Sequence, residues 1–137
     1  ATGKLARNFE GHTGHVLGVT WKSDGRRLAS CGADNAIKIW DFVTGEQVRS
    51  IANAQKEVVS ITFIGDGDEL VSANGEGAAR VHRAGDGGNV RNYGSSDFQY
   101  AVAASEDGKI VVTGGQDSKL RIWNGQQDNK MLFEIAP

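Results

Sequence analysis

This sequence predicts an all-β fold of short antiparallel strands in repeating groups of four, and three observations predict it. Sliding the chain by 42 residues lays Val16-Leu17-Gly18-Val19-Thr20-Trp21 over Val58-Val59-Ser60-Ile61-Thr62-Phe63, and Leu28 and Ser30 over Leu70 and Ser72, without a gap. A slide of 83 lays Ser30 over Thr113, Asp34 over Asp117 and Lys38-Ile39-Trp40 over Arg121-Ile122-Trp123. A fixed period of this size marks stacked supersecondary units. Within a copy, apolar residues follow the two-residue period of strands and not the 3.6 of helices, as at Val19 and Trp21 or Ile37 and Ile39. Finally, 19 of 137 residues are glycine, about twice the usual share of roughly 7%. They cluster in turn signals such as Ser23-Asp24-Gly25 and Thr44-Gly45.

Taken in order, the runs between turns place strands at 16–22, 27–32, 36–41 and 46–51 in copy one. Copy two repeats them at 58–64, 69–74, 78–83 and 88–93. Copy three, one residue shorter, has 99–104, 109–114, 119–123 and 130–135. Residues 4–9 stand 42 positions before 46–51 and read as a stray outer strand of a preceding copy, the thirteenth strand in all. The units are therefore expected at 10–51, 52–93 and 94–137, in one segment spanning 1–137.

Length allows one domain, since typical domains run to about 100–200 residues. Fifteen Lys and Arg against seventeen Asp and Glu leave a formal charge of −2. With no basic block or acidic tail, that argues against a charge-driven nucleic-acid or membrane-surface protein. No run approaches the roughly 18 apolar residues of a membrane span, and residues 1–10 lack the charged-then-apolar order of a signal peptide. A soluble chain is expected, its compartment unknown. It does not begin with Met and could be part of something longer. Its single cysteine, Cys31, has no internal disulfide partner.

Copy one holds Gly11-His12, then Ser30, Asp34 and a closing Trp40-Asp41. In this the chain resembles the WD-repeat family of β-propellers, over essentially its whole length. The resemblance implies three propeller blades of four antiparallel strands each. It also implies a hydrogen-bonded chain through His12, Ser30, Asp34 and Trp40, in which the Asp accepts from the His. Such a closed network avoids the cost of a buried N–H without a partner and stiffens the blade. Copy three keeps Thr113, Asp117 and Trp123 but has Ser95 in place of the His and Asn124 for the closing Asp. Copy two keeps Ser72, has Glu76 for the Asp, and has Ala54 and His82 for His and Trp. A full chain is thus expected only in the first blade, with Glu76 one partner open to His82. Residues 42–46 and 114–117 also resemble WD-repeat regions of large bacterial, planctomycete-like proteins that carry c-type haem domains. No Cys-x-x-Cys-His occurs here, so no haem is expected, nor any other cofactor.

Propellers typically need four to eight blades. Three leave two apolar faces open that neighbouring blades should cover. The ring is expected to be closed by self-association, with six blades from two chains or nine from three, or by the missing remainder of a longer propeller. Residues 4–9 of one chain and 130–135 of its neighbour would then compete for one blade edge. The implied function is a structural scaffold and protein–protein interaction module. The competing readings are an enzyme or a metal or ligand site at the channel mouth, and an assembly fragment that binds nothing. In the family, partners dock on loops entering each inner strand and loops joining the second and third strands. Carried over, that face is Thr13, His15 and Ala33, then Gln55, Glu57 and Gly75, then Ser96, Phe98 and Gln116. Phe98 with Tyr100 is either an aromatic anchor, or Tyr100 is core and Phe98 a scattered surface apolar.

Other constellations read as structure. His12, Ser30 and Asp34 supply the residue types of a hydrolase triad, but no Gly-x-Ser-x-Gly elbow presents the serine. His12 and His15 could begin a metal site, yet only His82 remains elsewhere and no third ligand is identified. Asp66-Gly67-Asp68-Glu69 lacks the alternating ligands of a calcium loop and reads as a solvated hairpin turn. Gly85-Asp86-Gly87-Gly88 matches no phosphate-loop spacing and reads as an outer hairpin. Cys31 reads as a small buried filler.

Overall fold

The structure, a computed structural model, describes residues 3–51, 56–94 and 98–136. Among these residues every regular element is a strand. The first sheet holds β1 (Val16–Trp21), β2 (Arg27–Gly32), β3 (Ile37–Asp41) and β4 (Gln47–Ile51). The second holds β5 (Val58–Phe63), β6 (Glu69–Asn74), β7 (Ala78–Arg83) and β8 (Asn89–Gly94). The third holds β9 (Gln99–Ala104), β10 (Ile110–Gly115), β11 (Leu120–Asn124) and β12 (Met131–Ile135). Each sheet is a four-stranded antiparallel meander in chain order, and each strand lies within about one residue of the bounds its turns imply.

The repeat extends to the irregularities. Every first pair of strands carries a register shift at its start, between Val16 and Gly18, between Val58 and Ser60, and between Gly114 and Gly115 opposite β9. Every last pair carries one beside the Trp or His position, at Ile39/Trp40, Val81/His82 and Ile122/Trp123. Such shifts sharpen strand twist, so all three blades twist alike and can stack. The turn between second and third strands needs a left-handed residue, supplied by Asn35 (φ 65°), Gly77 (φ 90°) and Ser118 (φ 66°). That conformation is costly for most side chains, and a short polar one tolerates it better than a branched one.

The core lies between blades. Ala29, Cys31, Ile37, Ile39 and Ile51 of the first blade pack on Val58, Ile61, Phe63, Leu70 and Ala84 of the second. One repeat later, Val71, Ala79, Val81 and Tyr93 of the second blade pack with Val111 and Trp123 of the third. Equivalent strand positions therefore face the next blade each time.

Residues 4–9, expected as a thirteenth strand, form none, and the described residues hold twelve. A strand needs a backbone partner, here the third strand of a preceding blade, and no such strand lies beside this segment. It runs along the first blade instead, with the Phe9 ring 5.5 Å from that of Trp40 and 6.3 Å from that of Phe42.

Candidate functional site

Two groups of residues carry the site: the polar chain inside each blade and the loop face at one end of the sheets. In the first blade, Gly11 and Gly14 bring the segment before β1 close to Trp40 and to the 33–34 turn, where a Cβ would collide. That approach sets His12 between β2 and the turn. Its Nδ1 lies 2.8 Å from Asp34 Oδ2 and its Nε2 lies 2.7 Å from Ser30 Oγ. Trp40 Nε1 donates to the same Ser30 oxygen at 2.8 Å. An ionised Asp34 can only accept, so His12 donates from Nδ1 and accepts the Ser30 hydroxyl at Nε2. The serine lone pair then takes the indole N–H. Four side chains are thus satisfied in one direction, from Trp40 to Ser30 to His12 to Asp34. Burial pushes the Asp34 carboxyl up, but hydrogen bonds from His12 and from the Thr13 and Ala36 N–H groups outweigh it and hold the carboxyl below its usual range.

Where the histidine is absent, an arginine four residues beyond the acid takes its place. Glu76 pairs with Arg80 in the second blade and Asp117 with Arg121 in the third. The side-chain hydrogen bond from Arg121 leads in holding Asp117 below its usual range. Sequence reasoning missed these pairs, although the signal is plain: Arg80 and Arg121 stand at the Lys38 position, four residues from the acid in each case. The third blade keeps the inner link, with Trp123 Nε1 donating to Thr113 Oγ1 at 3.0 Å. In the second blade His82 replaces the tryptophan and is buried. Burial, and then the nearby Arg80 charge, push its pKa down from 6.5 to about 4. Ala54 and Ser95, which stand where a His would, lie outside the described residues.

The loop face assembles through three equivalent backbone hydrogen bonds. Ala33 N–H donates to His15 O at 2.8 Å, Gly75 to Glu57 O at 3.3 Å and Gln116 to Phe98 O at 2.8 Å. Thr13, His15, Ala33, Glu57 and Gln116 are exposed there. Gly75 is buried, because Phe98 and Lys56 lie over it where a side chain would be. Phe98 is half-buried and stacks on Tyr100 with centroids 4.7 Å apart. Tyr100 is 52% exposed, so it is not core, and Phe98 is the more enclosed of the two. Gln55 and Ser96 lie outside the described residues.

The remaining constellations are engaged in structure. Both ring nitrogens of His12 are occupied, which removes it from any pair with His15 as a metal ligand. Among the described residues no group of three or more His, Cys, Asp or Glu side chains is placed to hold a metal ion. Asp68 takes Lys22 and the Gly85 N–H, and Glu69 takes Arg91, so the 66–69 turn braces the second blade on the first as well as meeting solvent. Asp86 closes the 85–88 hairpin through Arg83 and the Gly88 N–H. Cys31 is buried, and burial followed by the Asp34 charge pushes its thiol up to about 12. A thiol so held is inert near neutral pH. Among the described residues no helix is long and apolar enough to cross a membrane.

Replacing His12 with Ala removes both the acceptor of Ser30 and the donor to Asp34. The expected loss is about 1–3 kcal/mol of unfolding free energy, the cost of buried polar groups left unpaired, read by urea denaturation. Asp34→Asn should lose a similar amount.

Comparison with known proteins agrees with this geometry. The family model for the WD domain, G-beta repeat, matches residues 3–41 and 87–124. The WD repeat-containing protein slp1 of Schizosaccharomyces pombe is 52% identical over 33 residues, covering 24% of this chain. The probable cytosolic iron-sulfur protein assembly protein Ciao1 of Drosophila mojavensis is 45% identical over 38 residues, covering 28% of it. The matches span only 7% and 12% of those two proteins, and neither is bacterial, so they lend the bacterial resemblance no support. Among solved structures, the computationally designed Ika4 protein superposes with a TM-score of 0.84 at 26% identity, over 98% of this chain and 80% of that one. Since the family model covers more than half of the sequence, and its matched unit is the one repeated in the three four-stranded blades, the chain belongs to the WD domain, G-beta repeat family.

Proposed function

We propose that this chain is a structural and protein-interaction module, a three-bladed propeller segment that closes its ring against further copies of itself. One observation carries the reading: positions buried inside the segment are open at its ends. Val16, Val19 and Trp21 on the outer face of the first blade are 53%, 68% and 53% exposed. Their counterparts one repeat on, Val58, Ile61 and Phe63, are 1%, 6% and 7% exposed. On the far side of the third blade Leu120 and Ile135 are exposed, where Ile37 and Ile51 of the first blade are buried. The two open faces are thus the two halves of the blade-to-blade interface already formed twice within the chain. A head-to-tail contact between them is heterologous, and it closes when the blade count completes a turn. Soluble monomers rarely leave such continuous apolar faces bare.

The loop face with Thr13, His15, Ala33, Glu57, Phe98 and Gln116 is then the surface offered to other proteins, with Tyr100 as its aromatic anchor. Catalysis has no place in this reading. Although Ser30, His12 and Asp34 stand in nucleophile, base and acid order, the Trp40 N–H occupies the serine oxygen and Ser30 is buried. Substituting His12 should therefore change stability and not an activity.

The test is solution mass by light scattering over a range of concentrations. A stable mass of two or three times 14.6 kDa is expected. A chain that stays monomeric, soluble and cooperative on heating would mean that the end faces need no cover from another copy, and the reading would fail.

A further inference from the structure

The first and second strands of every blade are joined by a turn of the same length and closure. The N–H groups of Lys22, Ile64 and Ser105 donate to Arg27, Glu69 and Ile110 O, each at 2.9 Å. In the first and third turns Gly25 and Gly108 also donate back to Lys22 and Ser105 O, at 2.9 and 3.0 Å. These turns stand side by side at the end of the sheets opposite the loop face, and two junctions between them are formed within the chain. Between the first and second blades Lys22 Nζ reaches Asp68 Oδ1 at 3.2 Å. Between the second and third, Gly65 lies against Glu106 O and Ile64 against Gly108. The first two residues of one turn thus rest on the turn of the next blade. At the two open ends of the chain, Ser105 and Glu106 stand where Lys22 and Ser23 do, and Arg26 stands where Asp68 does. The sense of the ion pair is thereby reversed, with the acid on the leading turn and the base on the receiving one.

Charge is sorted between the two ends accordingly. The first turn carries Lys22, Arg26 and Arg27 against Asp24, whose carboxylate is taken up by the Arg26 and Arg27 N–H groups. The third turn borders a recess of about 450 Å³ lined by Asp66, Ser105, Glu106 and Asp107. The Ser105 hydroxyl and the Lys109 N–H occupy Asp107, whereas Glu106 is exposed and has no polar partner among the described residues. Arg26 is exposed too. Its Nε donates to Asp41 Oδ2 at 3.0 Å, which leaves both terminal nitrogens of the guanidinium for a second carboxylate.

We infer that a second copy of the chain docks by this charge as well as by its apolar face, with Glu106 of one copy paired with Arg26 of the next where the third blade meets the first. This pairing rests on the ring closure proposed above and is the polar contact that aligns it. Complementary charge at a rim steers encounter and fixes register more than it adds affinity. It also rejects the wrong contacts, since two first-blade ends would bring basic turns together and two third-blade ends acidic ones. Only the head-to-tail contact joins opposite charges.

The experiment is a charge exchange in the full chain, read by light scattering over a range of concentrations. A ring of two copies holds the junction twice, so Glu106→Arg and Arg26→Glu alone should each weaken association by about tenfold or more. The variant carrying both should return to within about threefold of the unmodified chain, as coupled residues do and independent ones do not. Urea denaturation at the lowest concentration shows whether each variant keeps its fold, because Arg26→Glu also gives up the Asp41 pair. Glu106→Gln leaves the first blade untouched and should flatten the loss of association between about 0.05 and 0.5 M NaCl, a range over which the screening length shrinks severalfold. Losses that add in the double variant, or an unchanged salt response in Glu106→Gln, would overturn the pairing and leave ring closure standing. A chain monomeric at every concentration would overturn both.

Discussion

Phe63→Ala is expected to cost about 3–5 kcal/mol of unfolding free energy, the usual range for emptying a buried phenylalanine site, read from urea midpoints at constant slope. Phe63 is buried in the core between the first and second blades, in one cluster with Ile37, Ile39 and Leu70, and pairs with Leu70 across the sheet. A cavity there opens at a junction of two sheets that cannot collapse independently. The same change at Trp21, its counterpart 42 residues earlier, should behave otherwise. Trp21 is half exposed and touches Phe42 edge-on at 5.4 Å, so Trp21→Ala should cost the monomer roughly 1 kcal/mol, the scale of an aromatic pair. Its effect should fall on association, weakening it by about thirtyfold or more, as loss of a buried aromatic anchor does. If Trp21→Ala left the concentration dependence of the mass unchanged, the first-blade face would not be the contact.

Acid should weaken the chain in a window set by His82. Its pKa is depressed from 6.5 to about 4 by burial and then by Arg80. Between those two values the unfolded chain binds a proton that the folded chain refuses, so stability must fall as pH drops from about 6.5 to 4. A tenfold change in proton affinity corresponds to about 1.4 kcal/mol, and the loss over the whole window is at most roughly 3 kcal/mol. His82→Leu is close in volume and removes the proton, so the difference between wild-type and variant stability should vary with pH only in that window. A constant difference between pH 7 and pH 4 would show that His82 is not held neutral by its surroundings. Asp34 acts lower on the scale. Its folded pKa lies below the usual 3.8, so its contribution is present above that value and is lost only as pH falls further. The two groups titrate in sequence and can be separated by the His82 variant.

Strand positions were legible because turn chemistry and a two-residue period repeat three times, and errors in one copy are corrected by the others. The first-blade network was implied by the family resemblance and not by spacing alone, and the structure places His12, Ser30, Asp34 and Trp40 at heavy-atom distances of 2.7 to 2.8 Å. The arginine pairs of the second and third blades were not read, because an acid and an arginine four apart are common on any surface. Only the packing shows Arg121 buried with Asp117 beneath the strand. The enclosure of Phe98 was hidden for the same reason: it comes from Gly75, 23 positions away in sequence and on the neighbouring blade.

The sequence by itself determined the all-β class, the blade count and the strand order. These depend on local periodicity and on a repeat that each copy states again. The fate of residues 4–9 depended on tertiary structure. Their pattern is that of an outer strand, but a strand forms only when a backbone edge is present to receive it, and this chain places no such edge beside them. The same structure keeps their side chains against the first blade, Phe9 beside the Trp40 and Phe42 rings and Arg7 donating to Val43 O.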